Sequence, residues 1–441
     1  MYQVNLQSII DKLPAIKNNS ITGRSSHLKH YSGLLRKYMK YSRICAVCII
    51  AALVTMGCED SGSVGGALSP QDDNLEVKKV DVTNIEVLNE VGYSGRLNNS
   101  ASGYIEDPFF GTIEAATFLK PSIDTNLLPE IDSNSNMRLQ LVINPVLYGQ
   151  DQRVNYNIYQ AGEIWRGNQM SYNETVNVNT TMLVGSFSAR GEDTLTVDLS
   201  SAWVDMYRNF FNSESADRDS LYRYNFPGLA IVPAAQNQRV HFFRQQTASS
   251  DTLDLGVTQF LVDNPADSLS GEIPVMDWGT SMTRSNQPDR EKSFVLHNTF
   301  ETILKMELDL DPADFTGEEI VNAQLMLFEN DEYTNLIPSS FNRPAVRTMR
   351  AHAFVIEPDN IANDLFARTP ALTATKDEDG IYKLNLTDLV LSHLFGESDI
   401  PALYFSIQTN NGILLSTEIY NQNGPADKTP RLVITTLKAE D

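Results

Sequence analysis

The sequence predicts an all-β protein made of two tandem antiparallel β-sandwich modules, jelly-roll-like, with short connecting helices. From residue 75 onward, apolar and polar residues alternate over short stretches that are separated by turn-forming residues. Segments with a 3.6-residue period are scarce, and a hydrophobic content of 41% is enough for a packed core. The same order of strand and helix patterns occurs twice, which indicates an internal duplication.

The N-terminal region contains a complete export signal. A basic stretch, Met39–Arg43, precedes an apolar run from Ile44 to Met56, and Gly57 and Cys58 follow. The run has 13 residues, fewer than the ~20 that a transmembrane helix needs. We therefore expect a signal peptide over residues 39–57, and residues 1–38 are predicted to be an extension ahead of the working start at Met39.

The cysteines support the same interpretation. Cys45 and Cys48 lie inside the signal, so a mature chain that starts at Cys58 holds one thiol and can form neither an internal disulfide nor a multi-cysteine metal site. The arrangement resembles a bacterial lipoprotein signal, which implies that Cys58 is lipidated. More than one acyl chain gives stable membrane anchoring, so the predicted location is the outer membrane through a lipid anchor.

Charge excludes one class of partner. The whole chain carries a formal charge of −22, and removal of residues 1–57 takes away 8 basic and 1 acidic residue, which leaves 26 against 55 and a net charge of −29. We therefore expect no nucleic-acid partner. Residues 58–74 are rich in Gly and Ser and are predicted to be a flexible tether. Glu59 and Asp60 resemble the surface-export signal of Bacteroidota lipoproteins, which favours the outer face over the periplasmic face.

Two similar series of elements define the modules. Module 1 is predicted over residues 75–264, a linker over 265–290 and module 2 over 291–441. The matching strands include Met137–Pro145 with Val321–Phe328, Thr194–Leu199 with Tyr382–Leu386, and Pro227–Val232 with Pro401–Ile407. The linker is predicted because Asn264-Pro265 and the polar stretch Ser281–Gln287 break the alternation.

A short helix follows the third strand of each series. Ser200 and Thr387 are suited to N-capping, and one helix face is predicted from the spacing of Leu199, Trp203, Met206 and Phe210. That face should cover one end of the sandwich, with Trp203 in the core.

Two family resemblances extend this picture. The segments Ile303–Leu310, Ile320–Leu327 and Pro430–Ile434 of module 2 resemble secreted β-sandwich modules of the DNRLRE type, a group that includes carbohydrate-binding modules. Over its whole length the mature chain resembles a Bacteroidota outer-membrane lipoprotein family of unknown function, on the basis of Cys58 and the motif Gly103–Gly111 together with Ala115-Ala116. The resemblances imply a fold and a location but no mechanism.

Aromatic side chains are the candidates for a glycan platform, because a flat apolar ring matches the C–H face of a pyranose. The candidates are Trp165, which is preferred, with Trp278, Tyr156, Tyr159 and Tyr172. The alternative is that these rings fill the sandwich core.

Carboxylates provide one candidate metal site. Glu307, Asp309 and Asp311 would share one face of a strand and could hold Ca²⁺, with a solvated outer face as the alternative; no other cofactor is predicted. The four histidines of the mature chain, His241, His297, His352 and His393, lie far apart and are predicted to be packing or surface residues. The sequence contains no nucleophile elbow and no phosphate-binding loop after a strand, so we predict that the protein is not an enzyme.

Four Asp-Ser/Thr-Leu triplets resemble acceptors for O-glycosylation in exported bacterial proteins, and the acceptor hydroxyls would be Thr194, Ser220, Thr252 and Ser268. The alternative is that the triplets are turns that lead into strands.

These observations predict a non-catalytic outer-membrane lipoprotein that acts as a binding or scaffold component of the cell envelope, accessory to an outer-membrane protein complex. A surface glycan-binding lipoprotein is the alternative, and a polysaccharide-active enzyme is the third. The expected partners are the outer membrane, through the lipid anchor, and either a protein or a glycan.

Overall fold

The predicted all-β sandwich architecture is confirmed in a computed structural model of the chain. The structure describes residues 75–82, 84–125, 131–246, 256–264, 269–334, 337–356, 361, 371–407 and 410–438. The predicted signal peptide, Cys58 and the tether lie outside the described residues. Asp73–Asp441 form one compact unit. Within the described ranges, every helix is too short or too polar to cross a bilayer.

The first part of the chain contributes strands and two helices. The strands are β1 (Leu75–Asp81), β2 (Asn84–Asn89), β3 (Asn99–Asp107), β4 (Gly111–Pro121), β5 (Asn136–Val142), β6 (Tyr148–Gln150), β7 (Val154–Ala161), β8 (Val178–Ala189), β9 (Thr194–Asp198), β10 (Leu229–Pro233), β11 (Arg239–Arg244), β12 (Gln259–Asn264) and β13 (Leu269–Ser285). The helices are α1 (Ser201–Phe211) and α2 (Arg218–Asn225), and a 3₁₀ turn spans Gly167–Gln169.

The second part repeats this organisation. Its strands are β14 (Ser293–His297), β15 (Thr302–Glu307), β16 (Glu318–Phe328), β17 (Phe341–Asn342), β18 (Thr348–Phe354), β19 (Leu372–Lys376), β20 (Ile381–Asn385), β21 (Ala402–Ile407), β22 (Ser416–Tyr420) and β23 (Arg431–Lys438). The helices are α3 (Asp331–Thr334) and α4 (Thr387–Leu394), and a 3₁₀ turn spans Pro312–Phe315.

The strand pairings of the two parts correspond, as the predicted duplication requires. One side of the first sandwich has the order β13-β12-β5-β9, and the second has β1-β23-β16-β20. The other side has the order β8-β7-β10-β4-β13 in the first and β19-β18-β21-β15-β2 in the second. Every pairing between these strands is antiparallel.

The leading strands of each half of the chain pair with the other half. β1 and β2 precede β3 in the chain, yet they pair with β23 and β15 of the second sandwich. β13 precedes β14, yet it pairs with β12 and β4 of the first. We call this arrangement the strand exchange, and from here module 1 includes β13 and module 2 includes β1 and β2. The prediction that residues 75–89 belong to module 1 is therefore wrong.

The predicted linker is also wrong over residues 269–285, which form β13. Its polar residues suggested a loop, but two of them, Thr280 and Ser281, are buried and hydrogen-bonded to internal partners. The hydroxyl of Thr280 accepts a hydrogen bond from the backbone N–H of Ala101 (2.9 Å), and Ser281 donates to the carbonyl oxygen of Glu174 (2.6 Å). Such internal partners allow polar side chains to lie inside a sandwich.

Each sandwich encloses its own apolar core. In module 1, Leu139 of β5 and Ile231 of β10 belong to one buried cluster with Trp203 of α1, so the predicted core position of Trp203 is confirmed. In module 2, Leu325 of β16 and Phe405 of β21 share the corresponding cluster. The two sides of each sandwich therefore pack face to face.

The helix after the third strand of each series packs on its sandwich, but the predicted capping hydrogen bonds are absent at the start of α1 and of α4. The fully or nearly buried residues of α1 are Trp203, Val204, Tyr207 and Phe211, while Met206 and Phe210 are partly buried against the same cluster. Ser200 occupies the N-cap position of α1 without a capping hydrogen bond from its side chain. Thr387 is the first residue of α4 rather than its cap, and its hydroxyl accepts instead from the backbone N–H of Ala323 in β16 (3.0 Å).

The motif Gly103–Gly111, which carries the family resemblance, forms a joint between the modules. At the turn from β3 to β4, Asp107 Oδ1 accepts hydrogen bonds from the backbone N–H groups of Phe109 (2.7 Å) and Phe110 (2.9 Å), and its Oδ2 accepts from the Tyr148 hydroxyl. Arg343 of module 2 lies 3.4 Å from Asp107 and 3.9 Å from the centre of the Phe109 ring. This motif therefore has a structural role at the contact between the two sandwiches.

Candidate functional site

The structure places three of the aromatic candidates in the interior. Trp165, Trp278 and Tyr172 are 2%, 6% and 1% exposed. Their polar atoms donate to internal acceptors, namely the carbonyl oxygens of Pro227 (2.7 Å) and Leu97 (2.7 Å) and the side-chain oxygen of Asn410 (2.9 Å). The prediction of a glycan platform on these rings is wrong, because none of them presents a face to solvent.

The remaining two candidates lie on β7. Tyr156 is buried, and its hydroxyl lies 2.7 Å from Nδ1 of His241. Tyr159 is half-buried, and its hydroxyl accepts a hydrogen bond from the side-chain amide of Asn157 (3.0 Å). A platform at Tyr156 is therefore wrong, whereas one at Tyr159 stays a prediction.

The predicted calcium ligands do not form a metal site. Glu307, Asp309 and Asp311 are exposed and alternate with buried leucines, but β15 ends at Glu307, so the three carboxylates do not share one strand. Glu307 pairs with Lys305 (3.1 Å), and Asp311 accepts from the backbone N–H of Ala313 (2.9 Å). Across the part of the chain that the structure describes, no group of three or more His, Cys, Asp or Glu side chains is arranged for a metal ion.

The histidines occupy packing positions or bridge backbone segments. His241, His297 and His352 are buried, and burial lowers the pKa of His241 to about 4. His393 is half-buried, and its two ring nitrogens face the carbonyl oxygens of Ser398 (3.3 Å) and Leu310 (3.2 Å).

Two of the four glycosylation candidates lie within the described residues. Thr194 is exposed at the start of β9, and Ser220 is exposed within α2 rather than in a turn. Thr252 and Ser268 lie outside the described residues. Modification at these hydroxyls stays a prediction.

A pocket that sequence reasoning missed lies in module 1. It has a volume of about 340 Å³, and we call it the basic pocket because four cationic side chains and one carboxylate line it. Its lining residues are Arg96, Lys120, Arg166, Asn168, Arg223, Met276 and Asp277. This charge balance is opposite to that of the whole chain, whose net charge is −22.

Lys120 and Asp277 are set opposite each other by strand register. Lys120 is the penultimate residue of β4, and its backbone pairs with that of Asp277 in β13. The register of β13 shifts between Val275 and Asp277, so Met276 is an extra residue at a β-bulge. A bulge changes the direction of neighbouring side chains. Lys120, Met276 and Asp277 all line the pocket.

The wall opposite β13 comes from the loop between β7 and β8. Its 3₁₀ turn begins at Gly167, where a Cβ atom would lie 2.2 Å from Asp277 Oδ1. Only glycine permits this close approach. The turn thereby holds Arg166 and Asn168, on either side of Gly167, against the bulge of β13.

Lys120 is the buried cation at the base of the pocket. The residue is 1% exposed, its Nζ donates to the carbonyl oxygen of Trp165 (2.7 Å), and the same nitrogen lies 4.8 Å from the centre of the Trp165 ring. Burial lowers the pKa of Lys120 to about 8, since desolvation outweighs the opposing effect of Asp277, and Arg166 adds to the lowering. The ammonium is therefore poised to gain from a nearby anion.

The arginines leave the pocket with uncompensated positive charge. Arg96 Nε lies 3.1 Å from Asp277 Oδ1, and the Arg166 guanidinium lies 4.5 Å from the centre of the Tyr224 ring. Among the described residues, neither Arg166 nor Arg223 has a carboxylate partner. With Asp277 set against Arg96, the charges of Lys120, Arg166 and Arg223 are available for a ligand.

The duplication shows that this charge arrangement is specific to module 1. Leu229 in β10 pairs with Leu119, and its counterpart Leu403 in β21 pairs with Met306. The position of Lys120 in module 1 therefore corresponds to that of Glu307 in module 2. The residue opposite Lys120 is Asp277, whereas the residue opposite Glu307 is Asn84. Module 2 thus places a carboxylate where module 1 places the buried ammonium.

The sequence contains one signal for this site. Lys120 follows the apolar residues Phe118 and Leu119 at the end of β4, where a charged residue is unusual. The other lining residues lie between positions 96 and 277, so their proximity depends on topology that a sequence pattern does not reveal.

The comparisons with known proteins do not assign a family. No protein-family model matches the chain, and no curated protein matches it. Among solved structures, the infectious bursal disease virus VP2 subviral particle aligns with 84% of this chain and 79% of its own, at 12% sequence identity and a TM-score of 0.12. A TM-score this low supports no conclusion about fold or function.

Proposed function

We propose that this protein is a non-catalytic outer-membrane lipoprotein, anchored through Cys58, that serves as a binding component of the cell envelope and holds an anionic ligand in the basic pocket of module 1. The single observation that carries the proposal is the excess of positive charge around the buried Lys120. A buried cation is costly unless its charge is compensated, and an anionic ligand would add to the partial compensation that Asp277 gives Lys120.

The composition of the pocket favours binding over catalysis. Its one carboxylate, Asp277, forms an ion pair with Arg96, and Lys120 is mostly protonated below its pKa of about 8. The lining residues offer hydrogen-bond donors and positive charge, which are the groups that recognise anions.

The contrast between the acidic chain and the basic pocket would direct anionic ligands to the pocket. Because the mature chain is strongly acidic, most of its surface repels anions, and a cleft with the opposite sign concentrates them. The lipid anchor would hold this site at the membrane surface, and Glu59 and Asp60 favour the outer face.

Calorimetric titration of the mature protein with sodium sulfate tests the proposal. We expect saturable binding by the wild type and loss of binding in Lys120→Met, which removes the ammonium and keeps an unbranched stem. Lys428→Met is the matched control, because Lys428 lies outside the pocket and pairs with Asp331 (2.9 Å). Equal titration curves for the wild type and Lys120→Met would contradict the proposal.

A further inference from the structure

We infer that the basic pocket binds a phosphomonoester carried on a sugar, either as a free sugar phosphate or as the headgroup of a phosphorylated glycolipid. This inference rests on the proposed anion-binding function and specifies the class of ligand. Three features of the pocket support it: its charge, its donor geometry, and its size and lining.

Charge favours a dianion over a monoanion. After Asp277 is set against Arg96, three cationic side chains remain, namely Lys120, Arg166 and Arg223. A carboxylate would neutralise one of these charges, whereas a phosphomonoester carries a charge of about −1.5 to −2 at neutral pH. The dianion therefore leaves less uncompensated charge in the pocket.

Donor geometry also favours a phosphate. Arg166 and Arg223 supply two planar guanidinium groups, which form parallel hydrogen bonds to pairs of phosphate oxygens. Lys120 adds a point charge from the base. Three cationic groups from three elements, namely β4, the β7–β8 loop and α2, can approach a tetrahedral group from different directions, whereas a planar carboxylate offers two oxygens.

Size and lining indicate that the phosphate is attached to a larger group. A volume of about 340 Å³ falls at the lower end of the range for small-molecule sites, roughly 300 to 1,000 Å³, and exceeds the need of a bare ion. Met276 supplies an apolar wall, and the exposed side-chain amide of Asn168 can bond a hydroxyl group. These features suit a polar ring with both C–H and O–H groups.

An aromatic ring holds one of the cationic side chains of the pocket. Tyr224 of α2 is 54% exposed, and the Arg166 guanidinium lies over its ring, 4.5 Å from the ring centre. A cation over the face of a tyrosine is attracted by the ring. This contact holds one phosphate donor against α2, the helix that also carries Arg223.

Titration calorimetry with glucose 6-phosphate, glucuronate and inorganic phosphate tests the inference on the full mature chain carrying Cys58→Ser, which needs no detergent. We expect glucose 6-phosphate to bind about tenfold more tightly than glucuronate, a difference of about 1.4 kcal/mol. Arg223→Gln should weaken binding of glucose 6-phosphate about tenfold or more. Arg218→Gln is the matched control on the same helix, because Arg218 pairs with Asp219 and lies outside the pocket.

A second arm separates the two sources of the sugar phosphate. The same protein is sedimented with phosphatidylcholine vesicles that contain or lack monophosphoryl lipid A, and the Cys58→Ser change prevents the anchor itself from binding the vesicles. Binding that depends on the glycolipid and on Arg223 identifies a headgroup, and binding of glucose 6-phosphate alone identifies a soluble ligand. Either result supports the inference.

The negative outcomes are distinguishable. Glucuronate binding as tight as glucose 6-phosphate, with no effect of the glycolipid, would refute the phosphomonoester class and leave the anion-binding function intact. If inorganic phosphate binds but neither glucose 6-phosphate nor the glycolipid does, the sugar part of the inference is refuted. If none of the anions, including sulfate, binds in an Arg223-dependent or Lys120-dependent manner, the proposed function fails together with the inference.

Discussion

The pH dependence of stability tests the buried ammonium of Lys120 without any ligand. The pKa of this group is about 8 in the folded chain, against an ordinary value of 10.5. Because the folded-state pKa is lowered, the unfolded chain holds more protons between these two values. The free energy of unfolding should therefore rise as the pH increases through this window.

The two pKa values set the size of the effect. Between about pH 7 and about pH 9.5 they give a rise of about 2 kcal/mol in the contribution of Lys120 to the free energy of unfolding. For a folded unit of this size, that change corresponds to roughly 3 °C in Tm. Lys120→Met should lack this contribution, so the difference in stability between wild type and variant should shift by that amount in favour of the wild type.

The assay is urea unfolding followed by tryptophan fluorescence for both proteins at several pH values in this range. Burial raises the pKa of Tyr156, Tyr207 and Tyr222, but these groups are common to the two proteins and cancel in the difference. Parallel stability curves for wild type and Lys120→Met would refute the reasoning, because they would mean that Lys120 titrates alike in the folded and unfolded chains.

Three further predictions concern the fold that supports the pocket. Asp107→Ala should lower the free energy of unfolding by about 3–5 kcal/mol, because it leaves Arg343 as an uncompensated charge at the joint. Asp107→Asn keeps a side-chain acceptor for the turn, so it should lower the free energy of unfolding by less in the same urea titration. Deletion of residues 75–89 should expose the ladder edges of β23 and β15 and produce soluble oligomers in size-exclusion chromatography. Deletion of the predicted tether, residues 59–74, should leave the elution close to that of the undeleted protein. Unchanged elution of the first deletion would contradict the strand exchange. Gly167→Ala should weaken sulfate binding and lower Tm, since its Cβ would lie 2.2 Å from Asp277 Oδ1, while Gly191→Ala, with nothing within 4 Å of the added Cβ, should match the wild type in both measurements.

Local patterns of the sequence were sufficient to predict the faces of strands but not their partners. The alternation in Met137–Pro145 and in Val321–Phe328 correctly predicted β5 and β16, and the repeated order of elements agrees with the corresponding ladders. Alternation specifies which side chains point inward and carries no information on which strand lies alongside. The exchange of β1 and β2 with β13 therefore could not be predicted from the same pattern.

The candidate site was missed for a related reason. Trp165 lies in a polar stretch of the sequence, which favours a surface position, but its ring packs against Phe118 and its indole nitrogen has an internal acceptor. The loop is polar where it borders the basic pocket and apolar where it covers the sheet. The sequence of the loop mixes residues from both sides within a few positions. Only the fold shows that Trp165 is buried whereas Arg166 and Asn168 line the pocket.

The strand exchange determines where mechanical load enters the protein. The first described residue, Leu75, lies opposite Leu437 at the end of the ladder between β1 and β23, and seven residue pairs connect the two strands. If the chain is tethered ahead of Leu75, tension from the envelope reaches β1 and is distributed over this ladder into module 2. In that case the tension does not act directly on module 1, which contains Lys120, so the basic pocket can keep its shape while force is applied to the N-terminal end of the described chain.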